Sequence, residues 1–255
     1  MSKNFTDCFP RIAASFILAA TLFITPFAQK VRGANDEETV EFHGPDVHSG
    51  YPDVFHVGYE LPKSMLSPDG KFGVIFPKLF RFGDSPDENF LVAVQAHEII
   101  GIIEDGDPYF RGKNHGALSA YWAPDSSAIL AINEGKWSPE SMVLVELRDG
   151  RIVRQTELVR QVWKMFAPDI AKAEKKPVKD VGIGAMGEIH VSWERGKAPK
   201  LHLSCEGETN PKDFPGQSRW QGRLEAVWNL QQKKWTSQHV TRISFRQATK
   251  EVEEQ

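Results

Sequence analysis

The densest group of residues able to do chemistry is His43-Gly-Pro-Asp46-Val-His48, with Asp53 and His56 close behind. Imidazole and carboxylate ligate zinc and related metals, but a closed site needs about four ligands in fixed geometry. Glycine and proline in the same stretch provide no element to fix that geometry. Solvated polar residues are therefore expected, with a metal site through His43, Asp46, His48 and His56 as the alternative. A second fragment, Gly182-Ile-Gly184-Ala-Met-Gly187, has the glycine spacing of a dinucleotide-binding turn. That turn works only when a strand leads in and a helix follows to present its N-terminus to pyrophosphate. Here a lysine-rich stretch leads in and a β-alternating one follows, so the expectation is glycines in a tight approach to a strand.

His97-Glu98 opens like a zincin helix, but Gly101 stands where the second histidine belongs, and the surroundings alternate like a strand. No Gly-x-Ser-x-Gly elbow occurs, and Cys205 has no evident activating neighbour. Glu134 with Glu140, and Glu206 with Glu208, could supply a glycosidase acid and base, although such spacing is ordinary for turns and solvated charge is expected. Asn114-His115-Gly116 and Lys136-Trp137 could share a loop face as a recognition spot; the stronger expectation puts Trp137 in the core. No catalytic, cofactor-binding or metal-binding residue is assigned on these grounds, and no cofactor is expected.

The elements that would position these residues are mostly strands. Leu118 to Ile132 gives two β-prone runs hinged on Ala123-Pro124-Asp125-Ser126, where proline presets φ and the Asp and Ser side chains can bond nearby amides. Ser67-Pro68-Asp69-Gly70-Lys71 precedes Phe72–Phe76 in the same way. The first unit continues through a turn at Gly83-Asp84-Ser85-Pro86-Asp87 to strands Phe90–Val94 and Ile99–Ile103. The second continues through Ser138-Pro139-Glu140 to Met142–Leu147 and a tight Asp149-Gly150 hairpin into Ile152-Val153. Two Ser-Pro-acid turns in corresponding places strengthen the repeat.

Leu158, Val159, Val162, Trp163 and Phe166 then fall at helical spacing behind a Thr156 cap, which predicts one amphipathic helix broken near Pro168. A lysine-rich linker leads to a third β region, where Glu188–Trp193 and Leu201–Cys205 alternate as half-exposed antiparallel strands. Glu225–Leu230, the turn through Lys234 and the stretch from Trp235 make a hairpin. The expected organisation is therefore a signal segment 1–33, an irregular lead-in 34–59, two β-repeat units 60–155, helix and linker 156–179, a third β region 180–245 and a polar tail 246–255.

Ser67-Pro-Asp-Gly-Lys71 and Trp122-Ala-Pro-Asp-Ser126 resemble the repeat of bacterial WD-like, Tol-system-type β-propellers, in which the Pro-Asp-Gly turn joins strands within a blade. The resemblance covers Ser67 to Val153 well and the third region loosely. It implies a mainly β fold of propeller-like antiparallel units with one inserted helix; an incomplete propeller or a sandwich also meets the pattern.

Lys3 and Arg11 precede an apolar run from Ile12 to Phe23 that ends among small residues, the order of a secretory signal peptide. The run is shorter than the roughly 20 apolar residues of a spanning helix, so cleavage near Ala28 or Gly33 is expected rather than a retained membrane anchor. The whole chain carries a net charge of −3; the segment removed holds Lys3, Arg11, Lys30 and Arg32 against Asp7, leaving −6. An acidic protein is poorly suited to nucleic acid or anionic lipid. With Cys8 in the signal segment, Cys205 has no intramolecular disulfide partner. The expected function is an exported, periplasmic or secreted, non-catalytic β-repeat module binding a protein or a glycan. A hydrolase-type enzyme assembled from distant residues, or a metal-binding protein, is the alternative.

Overall fold

The computed structural model describes residues 39–40, 58–78, 88–104, 108–196, 198–209 and 220–243. Within them the chain is mainly β, folded as three antiparallel sheets and one helix. The first sheet consists of β2 (Tyr59–Pro62), β3 (Phe72–Pro77), β4 (Phe90–Ala93) and β5 (Glu98–Ile102), with the two-residue β1 (Thr39–Val40) added at the β2 edge. The lead-in is thus not wholly irregular. The second sheet holds β6 (Ala117–Trp122), β7 (Ala128–Glu134), β8 (Pro139–Arg148) and β9 (Arg151–Glu157). The third holds β10 (Ala185–Glu194), β11 (Lys200–Glu208), β12 (Gln221–Asn229) and β13 (Lys234–Arg242). Every strand pairs with its sequence neighbour, so each sheet is a meander closed by short-range connections.

The two Pro-Asp turns share the same backbone and Asp-to-amide bonds. Gly70 N–H donates to the Ser67 carbonyl at 2.9 Å, and Ser126 N–H to the Ala123 carbonyl at 2.9 Å. The residue after each aspartate has a left-handed backbone, Gly70 at φ +69° and Ser126 at φ +61°. The amide two residues beyond each aspartate donates to its carboxylate, Lys71 to Asp69 at 3.2 Å and Ser127 to Asp125 at 3.0 Å. These bonds hold the Asp69 carboxyl below its usual range against the opposing effect of burial, with the Ser67 hydroxyl the first of the lowering contacts. The strands leaving the turns, β3 and β7, pair antiparallel with β4 and β8 as expected. Asp149 and Gly150, at φ +51° and +73°, make the tight turn that joins β8 to β9.

The second sheet lies between the other two. Ile129, Ala131, Val143 and Val145 face the first sheet, while Leu130, Ile132, Met142 and Leu144 face the third sheet and the helix. Burial on both faces explains why β7 is a continuous apolar run instead of an alternating one. Sheets one and two are fastened by polar bonds as well as apolar contact. The Trp122 indole N–H donates to the Met65 carbonyl at 3.0 Å, and the Gln155 amide to the Ile102 carbonyl at 2.8 Å. Gly101 admits this contact, because a Cβ there would stand 2.8 Å from Ile152 Cδ1.

The helix α1 spans Val159–Glu174, which corrects two expectations. Thr156 pairs with Leu144 inside β9; the N-cap position is Leu158, and the first helical amides, of Val159 and Arg160, donate to the Glu157 carboxylate at 2.6 and 3.2 Å. The helix also runs through Pro168 without breaking. A proline inside a helix costs about 3 kcal/mol, but Phe166 and Ile170 are fully buried on either side of it and that burial holds the last turns in place. The third β region, loosely matched in sequence, forms a complete four-stranded sheet. In β11 and β12 every second residue is buried against α1 and the second sheet. The candidate signal segment 1–33, the turn at residues 83–87 and the tail 246–255 lie outside the described residues. Among the described residues no helix is long and apolar enough to cross a membrane.

Candidate functional site

Where β7 turns into β8, the hairpin residues 135–138 lean against the start of β10, and a cleft of about 320 Å³ opens between the second and third sheets. The hairpin is closed by Gly135 N–H donating to the Ser138 carbonyl at 3.0 Å and is fastened to the third sheet by Met186 N–H donating to the Trp137 carbonyl at 2.8 Å. This second bond fixes the Trp137 backbone while leaving its ring outside the core: Trp137 is 44% exposed at the cleft mouth. The Lys136 ammonium sits 4.7 Å from the centre of that ring. The expectation of a core tryptophan therefore fails. The hairpin has no apolar layer to receive the ring, because cluster formation on this face of β7 stops at Ile132.

Glu134 closes β7 on the face it shares with Leu130 and Ile132, and so projects into the cleft. Burial raises its carboxyl above the usual carboxylate range, and among the described residues no hydrogen bond offsets that rise. The carboxylates on the third-sheet strands are placed differently. Glu206 accepts two hydrogen bonds from the Arg223 guanidinium, at 2.6 and 3.1 Å, and a third from the Gln221 amide at 3.4 Å. Glu208 and Glu188 also line the cleft. Glu188 stands at φ +47° in a β-bulge of β10 that begins at Gly187. A non-glycine residue in that region is strained, and bulges next to binding sites re-aim side chains. Gly187 itself has open space where a Cβ would point.

Residues that looked like unrelated fragments in the sequence thus meet in one place. Glu134, Lys136, Trp137, Glu206, Glu208 and the end of the Gly182–Gly187 run all line the cleft. Glu140 is turned away from it and bound by the Lys113 ammonium at 2.5 Å. That pair brings the turn carrying Asn114-His115-Gly116 beside the Lys136-Trp137 hairpin, since Ala117, which follows the turn, pairs with Glu134. The fragment after Gly184 enters β10 and not a helix, so the glycine run offers no helix N-terminus to a pyrophosphate. His97 occupies a left-handed turn position at φ +52° ahead of β5, which rules out a helical His-Glu motif there. Cys205 is fully buried, and desolvation pushes its thiol up to about 12. His43, Asp46, His48, Asp53 and His56 lie outside the described residues; among the described ones no group of three or more His, Cys, Asp or Glu is arranged to hold a metal.

The sequence signal that could have found the cleft is slight: a tryptophan two residues after a tight Glu-Gly step in a hairpin, where a core aromatic is seldom placed. Nothing local connects Glu134 with Glu206. Comparison with protein-family models, with curated proteins and with solved structures returns no match to the chain.

Proposed function

We propose that the chain is an exported, non-catalytic β-repeat module that binds a protein or a glycan in the cleft between its second and third sheets. The observation that carries this is Trp137, a large aromatic held outside the core at the mouth of a polar-walled cleft by a hairpin fixed to both sheets. Exposed aromatics with polar companions are the usual anchors of recognition surfaces. The basic-apolar-small order of residues 1–33 supports export to the periplasm or beyond. The repeated Pro-Asp turns and consecutive meanders support kinship with WD-like, Tol-system-type propellers, whose loops are presented on a rigid scaffold. The test is site-specific photo-crosslinking in the producing cell envelope from a benzoylphenylalanine placed at position 137 or 187, with position 153, an exposed valine, as control. Adducts from 137 and 187 and none from 153 are expected. Equal adducts from all three, or none from the cleft positions, would refute the proposal.

One observation favours a hydrolase as the second reading. Glu134, whose carboxyl burial raises above the usual carboxylate range, lines the same cleft as Glu206, which is bound by the Arg223 guanidinium. Carboxylates in unlike environments are what an acid and base pair requires. Release of new reducing ends from a bound glycan, lost in Glu134→Gln, would establish it.

A further inference from the structure

Resting on the binding reading above, we infer that the cleft takes a neutral saccharide, with one sugar ring laid on Trp137 and its hydroxyls donating to Glu134. Three observations carry this choice of ligand. First, a volume of about 320 Å³ is at the small-ligand end of binding cavities, where roughly 300–1,000 Å³ is usual. A flat protein interface, by contrast, covers about 800 Å² on each partner. Second, the ring at the mouth presents an electron-rich face that draws groups of partial positive charge, as the Lys136 ammonium shows. The C–H groups on the face of a pyranose have that character. Third, no hydrogen bond from the described residues reaches the half-buried Glu134 carboxyl, so both its oxygens are open to the hydroxyls of a ligand. Vicinal hydroxyls supply two donors at the spacing of two carboxylate oxygens. Four carboxylates, Glu134, Glu188, Glu206 and Glu208, line the cleft against the one Lys136 ammonium, with the Arg223 guanidinium paired to Glu206, a balance that disfavours phosphorylated or uronic sugars. Gly187, with open space at its Cβ position, lets the ligand lie close against the β10 backbone.

The experiment titrates the exported chain with maltotetraose, cellotetraose and chitotetraose, and separately with the peptide acetyl-Gly-Arg-Gly-Arg-Gly-amide, following tryptophan fluorescence and confirming by calorimetry. Saturable binding of at least one tetrasaccharide is expected, weakened about tenfold or more by Trp137→Ala and by the cleft-filling Gly187→Leu. Neither position is in the core, and unchanged thermal unfolding confirms that both variants fold. Binding of the arginine peptide alone, with the same loss in Gly187→Leu, would overturn the saccharide and leave the cleft as a protein-binding site. Failure of every tetrasaccharide would overturn the inference as well, and cleft-specific photo-adducts would then show that the binding proposal itself survives.

Discussion

Replacing Trp122 by alanine should destabilise the protein by about 3–5 kcal/mol, the range for removing a large aromatic from a packed core. Three contacts set that size. The side chain is only 8% exposed and is enclosed between the first and second sheets. Its ring stacks on Phe72 with centroids 6.4 Å apart and planes 20° from parallel, an arrangement that contributes roughly 0.5–1.5 kcal/mol beyond burial. Its indole N–H is the donor to the Met65 carbonyl at 3.0 Å, and a buried acceptor left without a partner costs about 1–3 kcal/mol. Trp122→Phe separates these effects, since it keeps much of the ring but strands the carbonyl; it should lose about half of what the alanine variant loses. Urea unfolding at constant m-value measures both. A loss below about 1 kcal/mol for Trp122→Ala would show that the first two sheets do not depend on this side chain.

Pro168→Ala should stabilise the chain by up to about 3 kcal/mol, because it restores an amide donor for the Lys164 carbonyl in a helix that is already continuous; thermal unfolding would show it. Glu134 gives a pH signature. Its folded carboxyl titrates above the unfolded value, so the folded state binds the proton more tightly and stability falls as pH rises from the unfolded pKa through the folded one. Glu134→Gln should therefore match the wild type near pH 4 and exceed it in melting temperature at pH 7. The Cys205 thiol, pushed up to about 12 by burial, should resist iodoacetamide at pH 8 in the folded protein and react only at the rate of unfolding, which mass spectrometry can follow.

Local chemistry was legible in the sequence and long-range assembly was not. Asp69 and Asp125 could be placed because the amides they bind lie two residues on, within reach of turn stereochemistry alone. The same holds for Asp149-Gly150, where two left-handed residues make a hairpin turn. At Pro168 a single proline outweighs its neighbours in any local account, whereas Phe166 and Ile170 reach apolar partners supplied by a sheet that begins only at Ala185. Thr156 carries the hydroxyl that usually fills a cap, but its place opposite Leu144 in a strand depends on β8. The third sheet lacks the Pro-Asp turn and so matched the repeat poorly, yet the period-two burial of Leu201, Leu203 and Cys205 was already visible as alternation. The cleft was the least legible feature. Glu134, Trp137, Gly187 and Glu206 belong to three separate segments, and only the docking of the third sheet on the second gathers them.

The central claim, that ligand enters between the second and third sheets, is tested most directly by combining the crosslinker at position 137 with the Gly187→Leu plug in one chain. Gly187 lines the cleft, and nothing stands within 4 Å of a Cβ added there, so the substitution leaves the core untouched. The account predicts that the adduct formed from position 137 disappears in the plugged chain while its thermal unfolding is unchanged. An adduct of undiminished yield from the plugged chain would contradict it.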